Sequence, residues 1–201
     1  MKKLGKKIEH YEKITGMSKL ARRYFVMNTF DGTLTIFGVL LGSFLSGLME
    51  VDTIATMGLG AGAAIFVSGV WGTYLSERAE RMKSRKDLER SMLRNLDSTD
   101  ISRAESFATV YVSLIDGLSP LIAILLVLLP FFISFTPILD VLSAYYISFG
   151  MCFVMFLLLG IFLGKLSKEN LAISALKTLA IGLICAVIIY TISSLTASSH
   201  I

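Results

Sequence analysis

The chain has 201 residues, 54% of them hydrophobic and only 17% charged, with a mean hydropathy of +0.72. A soluble domain of this length carries more charge and fewer long apolar runs, which excludes that class. The formal charge of +4 has no soluble basic domain to carry it, so it reads as a membrane-topology signal and excludes a nucleic-acid surface.

Five apolar runs, at about 24–48, 53–76, 107–136, 141–164 and 173–196, are each long enough to cross a bilayer. They are continuous rather than alternating with period two, which predicts helices and not a barrel. The predicted fold is all-α: a polytopic membrane protein with five transmembrane helices. Four segments follow: a basic amphipathic segment at 1–23, helices one and two at 24–76, a charged cytoplasmic helix and loop at 77–105, and helices three to five at 106–201.

Residues 1–23 are too long, basic and polar for a cleaved signal peptide. Leu4, Ile8, Tyr11 and Ile14 fall at helical spacing among lysines, predicting a short helix on the inner membrane surface or a solvated basic leader. The second span ends in SERAERMKSRKDLERSMLRNL, which contains no Gly or Pro. It is expected to continue into the cytoplasm as one helix. Asp97, Ser98, Thr99 and Asp100 then supply turn or capping chemistry. The third span contains Pro120 and Pro130. Pro120 removes the backbone bond to the Asp116 carbonyl, which predicts a kink or a carbonyl freed for an ion or water. Gly38/Gly42, Ser43/Gly47, Gly58/Gly62 and Gly160/Gly164 are spaced for close helix packing, within one chain or between two. Cys152 and Cys185 lie inside apolar runs and do not make a disulfide framework.

Of 19 Lys and Arg, all but Lys165, Lys168 and Lys177 lie in 1–23 or 78–103. The positive-inside rule then puts the N-terminus, the 78–105 loop and the 165–177 turn in the cytoplasm and the C-terminus outside. A plain cell membrane is the expected location.

Two Asp-Gly pairs, Asp31-Gly32 and Asp116-Gly117, sit inside apolar spans at matching places. Each is followed by a long apolar helix, an outer loop and a helix ending in Leu-Ser. That order predicts a parallel two-helix repeat. A carboxylate within a span costs about 2.5–3.5 kcal/mol on insertion scales and usually faces a cavity, a partner or an ion path. At 1.5 Å per residue, Asp31 lies about 12 Å past Arg23, and Asp116 is at similar depth. Thr73, Glu77 and Glu80 lie at that level or nearer the cytoplasm, with Asn28 and Thr29 beside them; Glu77 and Glu80 are one turn apart and expected on one face. Such oxygen donors suit Mn²⁺, Mg²⁺ or Fe²⁺. Asp31, Asp116, Thr73, Glu77 and Glu80 are therefore the candidate metal-path residues. A salt bridge of Asp116 with Lys165 is the structural alternative. The motifs of hydrolases, zinc proteases and P-loop enzymes are absent, and His10 and His200 are isolated near the termini, so no enzyme is expected.

RYFVMNTFDGTLTIFGVLLG, VSGVWGTYLSERAER and DGLSPLIAILLVLLPFF, in this order, resemble the vacuolar iron transporter family over nearly the whole chain. The resemblance implies export of Fe²⁺ or Mn²⁺ from the cytosol in exchange for protons, by a homodimer, with the cation as cargo and no tightly bound cofactor. The first-span aspartate on that family's ion path matches Asp31. The family also uses a second-span methionine and glutamate; alignment on Tyr-Leu-Ser puts these at Gly69 and Thr73. Asp116 is expected to replace the lost glutamate from span three. The rival expectations are a non-transporting scaffold or sensor that keeps the fold, and a proton-coupled transporter of another solute.

Overall fold

A computed structural model describes residues 2–93, 96 and 99–198. Its helices are α1 (Lys2–Thr15), α2 (Met17–Leu45), α3 (Val51–Met92), α4 (Asp100–Ser134), α5 (Val141–Ser167) and α6 (Leu171–Ser198). Among the described residues there is no strand. The 5 helices α2 to α6 are long and apolar enough to cross a membrane, as the continuous apolar runs predict. Asp97, Ser98 and His200 lie outside the described residues.

The chain forms two compact units. Unit 1 comprises residues 1–28 and 65–119; unit 2 comprises 29–64 and 120–201. The divisions fall within α2, α3 and α4, so neither unit corresponds to one Asp-Gly half of the chain.

In unit 1, α3 runs unbroken from its apolar part into the charged stretch. A helix of 42 residues is about 63 Å long, twice the roughly 30 Å hydrocarbon layer, so its charged end must leave the bilayer. Gly16 separates α1 from α2 with a φ of +60, a conformation that glycine reaches without steric cost. Glu12 then accepts from the backbone N–H and the hydroxyl of Ser18, at 2.9 and 2.8 Å.

Of the apolar positions on α1, Tyr11 turns inward. It is buried with Met17, Ala21, Ala104, Ala108 and Val112, its ring 5.6 Å from that of Phe107. Ala104 and Ala108 are one turn apart on α4 and are small members of the same cluster. Ile8 and Ile14 are exposed.

Unit 2 is built on close helix contacts. A Cβ added to Gly32 would come 2.6 Å from both the Cα and the carbonyl oxygen of Pro120. Pro120 is fully buried there, and α4 is helical through both prolines. Pro120 thus packs directly against Gly32. A Cβ on Gly160 would lie 2.6 Å from the Ala175 Cα, which brings α5 and α6 into close contact. The Thr178 hydroxyl donates across that contact to the Phe156 carbonyl at 2.9 Å, and the Ser148 hydroxyl of α5 donates to the Val127 carbonyl of α4 at 2.8 Å. Gly58 and Gly62 pack on Leu128 and Ile124 within the chain. Gly42 has open space beside it.

At the start of α5, Asp140 accepts from the backbone N–H of Ser143 at 3.2 Å and from its hydroxyl at 2.7 Å. These bonds favour the ionised carboxylate and hold it below the usual aspartate range.

Candidate functional site

Asp116 is buried, at 6% exposure. The Thr73 hydroxyl donates to its Oδ2 at 2.6 Å, and the Asn28 amide donates to its Oδ1. Three helices of unit 1 thus contribute one polar side chain each: Asn28 from α2, Thr73 from α3 and Asp116 from α4. Two donors offset part of the cost of burying a carboxylate among apolar side chains.

The helix backbones explain why the three meet. A Cβ on Gly117 would lie 2.7 Å from the Phe66 carbonyl oxygen and 3.0 Å from the Val70 nitrogen. A Cβ on Gly69 would lie 3.0 Å from the Gly117 Cα and 3.2 Å from Asp116 Oδ2. Glycine at both positions lets α3 and α4 approach, and the approach carries the Asp116 carboxylate to Thr73. Gly69 and Thr73 occupy the positions where the resemblance implies a methionine and a glutamate. The space beside the first is taken by α4, and a carboxylate from α4 reaches the second.

One turn along α3 from Thr73, Glu77 is buried at 8% exposure. The Tyr24 hydroxyl donates to it at 3.3 Å, and Arg81 pairs with it at 3.2 Å. Glu80 is exposed, so the two carboxylates part instead of sharing one environment: three residues turn a helix about 60° short of a full circle. Asp31 belongs to unit 2 and is exposed. Among the described residues, no group of three or more His, Cys, Asp or Glu side chains is placed to hold a metal ion. Asp116 instead stands with a hydroxyl and an amide N–H₂ that both donate to its carboxylate.

Tyr24 and Arg81 are the neighbours of Glu77 that sequence reasoning missed. The available signal was spacing: Tyr24 and Asn28 are one turn apart on α2, and Glu77 and Arg81 one turn apart on α3.

Five bilayer-length helices and a buried carboxylate shared by three of them define a multi-pass membrane protein with a polar site among its spans. The VIT family, that of the vacuolar iron transporters, matches this chain over residues 84–194. An uncharacterized protein of Methanocaldococcus jannaschii is 34% identical over 173 residues, covering 85% of this chain and 87% of the relative. The chain belongs to the VIT family, a family of membrane metal-ion transporters. The matched stretch contains Asp116; Asp31 and Thr73 precede it.

Proposed function

We propose that this chain exports Fe²⁺ or Mn²⁺ from the cytosol in exchange for protons. It works as a homodimer in the cell membrane, with its N-terminus in the cytoplasm and its C-terminus outside. The reading rests on Asp31, an exposed carboxylate on a bilayer-length helix. Facing lipid, it would cost about 2.5–3.5 kcal/mol; facing a second copy across a polar path, it would not. Within unit 1, Asp116 with Thr73 supplies a buried carboxylate, and Glu77 and Glu80 stand at the cytoplasmic mouth. Carboxylates that bind a cation release protons as they do so, which links metal movement to proton movement. The chemistry is transport rather than catalysis.

A scaffold or sensor without transport is the second reading. It is favoured by the absent methionine and glutamate at Gly69 and Thr73 and by the pairing of Glu77 with Arg81. Mn²⁺ titrated into the purified protein and followed by electron paramagnetic resonance separates the two. Transport predicts saturable binding that weakens at least about tenfold in Asp31→Asn, the size of one lost charge contact. An unchanged affinity in that variant removes Asp31 from the site, and no saturable binding in the wild type supports the scaffold.

A further inference from the structure

On α3, Arg78, Arg81 and Arg85 follow one another at intervals of three and four residues, so they line one helix face. Within unit 1 that face and the start of α4 enclose a cavity of about 290 Å³, lined also by Tyr74, Glu105 and Ser106. Three guanidinium groups stand against Glu105 in the lining and Glu77 paired with Arg81, a net positive charge that repels a metal ion and attracts an anion. Glu77 engages Arg81 through Nη2; among the described residues, the buried Nε of Arg81 has no hydrogen-bond partner. Arg85 reaches across to the Ser102 hydroxyl at 2.5 Å, which fixes its fork at the cavity wall. Tyr74 accepts from Arg78 at 3.5 Å, leaving its own O–H to donate. Guanidinium forks around a space of this size match the oxygens of a phosphate group.

The position of the cavity along α3 is equally informative. Trp71 is 65% exposed and its ring lies 6.1 Å from that of Tyr74. Arg78 lies 6.0 Å from the Tyr74 ring. On α4 the rings of Phe107 and Tyr111 stack at 6.3 Å. An apolar helix that passes through aromatic rings into arginines marks the boundary between hydrocarbon and headgroups. Basic cavities at that level between membrane helices are suited to anionic headgroups.

We propose that this cavity binds a phosphate-bearing anion, with Arg78, Arg81 and Arg85 as its ligands. The chemistry is the same whether the phosphate belongs to an anionic phospholipid or is free in the cytosol. The cavity's ligands differ from those of the Asp116 cluster, with which it shares only the Glu77–Arg81 pair.

The test uses the full chain in nanodiscs of phosphatidylcholine, with and without a minor fraction of phosphatidylglycerol. Lipid retained on release is counted by native mass spectrometry. Inorganic phosphate is titrated separately into the phosphatidylcholine discs and followed by ³¹P line broadening. Selective retention of phosphatidylglycerol identifies a lipid headgroup as occupant; saturable broadening by phosphate alone identifies the free anion. Arg78→Gln is expected to weaken either by roughly fivefold, the share of one interfacial arginine. Ser106→Asp, which adds a negative charge at the rim and leaves all three arginines, should weaken it at least as much. Equal retention of both lipids with no phosphate broadening overturns the proposal. So does retention or broadening that is unchanged in both variants while they elute as the wild type does.

Discussion

Asp116→Asn is expected to cut divalent-cation flux at least about tenfold in protein that still folds. The substitution keeps the shape and removes the charge. It also puts an amide N–H₂ where one of the two donors, Thr73 or Asn28, now finds an acceptor oxygen. One mismatched buried donor costs about 1–3 kcal/mol, a loss of stability that the melting curve reports apart from flux. The decisive arm is relocation of the charge. Thr73→Glu in the Asp116→Asn background returns a carboxylate to the same place from α3, and flux should recover in part. Thr73→Gln in that background has the same size without the charge and should not recover it. If glutamate and glutamine behave alike, the carboxylate is structural and the exchange of ligands between α3 and α4 is wrong.

Gly117→Ala is expected to destabilise the protein strongly. The new methyl would meet the Phe66 carbonyl oxygen at 2.7 Å and the Val70 nitrogen at 3.0 Å. Both are backbone atoms of α3, so no side chain can rotate away and the two helices must separate. Overpacking of this kind costs about 1–3 kcal/mol or more, read as a fall in the thermal midpoint of the purified protein. Separation also draws Asp116 from Thr73, so flux should fall with stability. Gly72→Ala is the matched control on α3. A Cβ there meets nothing within 4 Å, and alanine favours the helix by about 1 kcal/mol, so its midpoint should hold or rise. Equal loss in both variants would mean that the Gly117 contact is not what holds α3 to α4.

The spans were legible because an unbroken apolar run needs no tertiary partner to declare itself, and α3 because nothing in 77–92 breaks a helix. The double Asp-Gly pair was legible as important, but the structure gives its two glycines a separate meaning. Gly32 seats Pro120 of α4, and Gly117 seats Phe66 and Val70 of α3. Each aspartate precedes its glycine by one residue and is therefore turned about 100° from the contact. Asp116 ends buried and Asp31 exposed, a difference set by which helices lie alongside and not by the dipeptide. The contact of Asp116 with Thr73 was within reach of sequence reasoning, because the vacant glutamate position pointed to it. The inward turn of Tyr11 was not, since the cluster it joins includes two small residues, Ala104 and Ala108, far along the chain. Nor was the burial of Glu77, which depends on Tyr24 of another helix.

The most direct test of the transport claim is Mn²⁺ flux through the purified protein in proteoliposomes under a pH gradient, with metal and proton movement followed together. The account predicts saturable Mn²⁺ movement coupled to protons moving the opposite way, both reduced in Asp31→Asn and Asp116→Asn. Mn²⁺ movement no faster than in protein-free liposomes would contradict it.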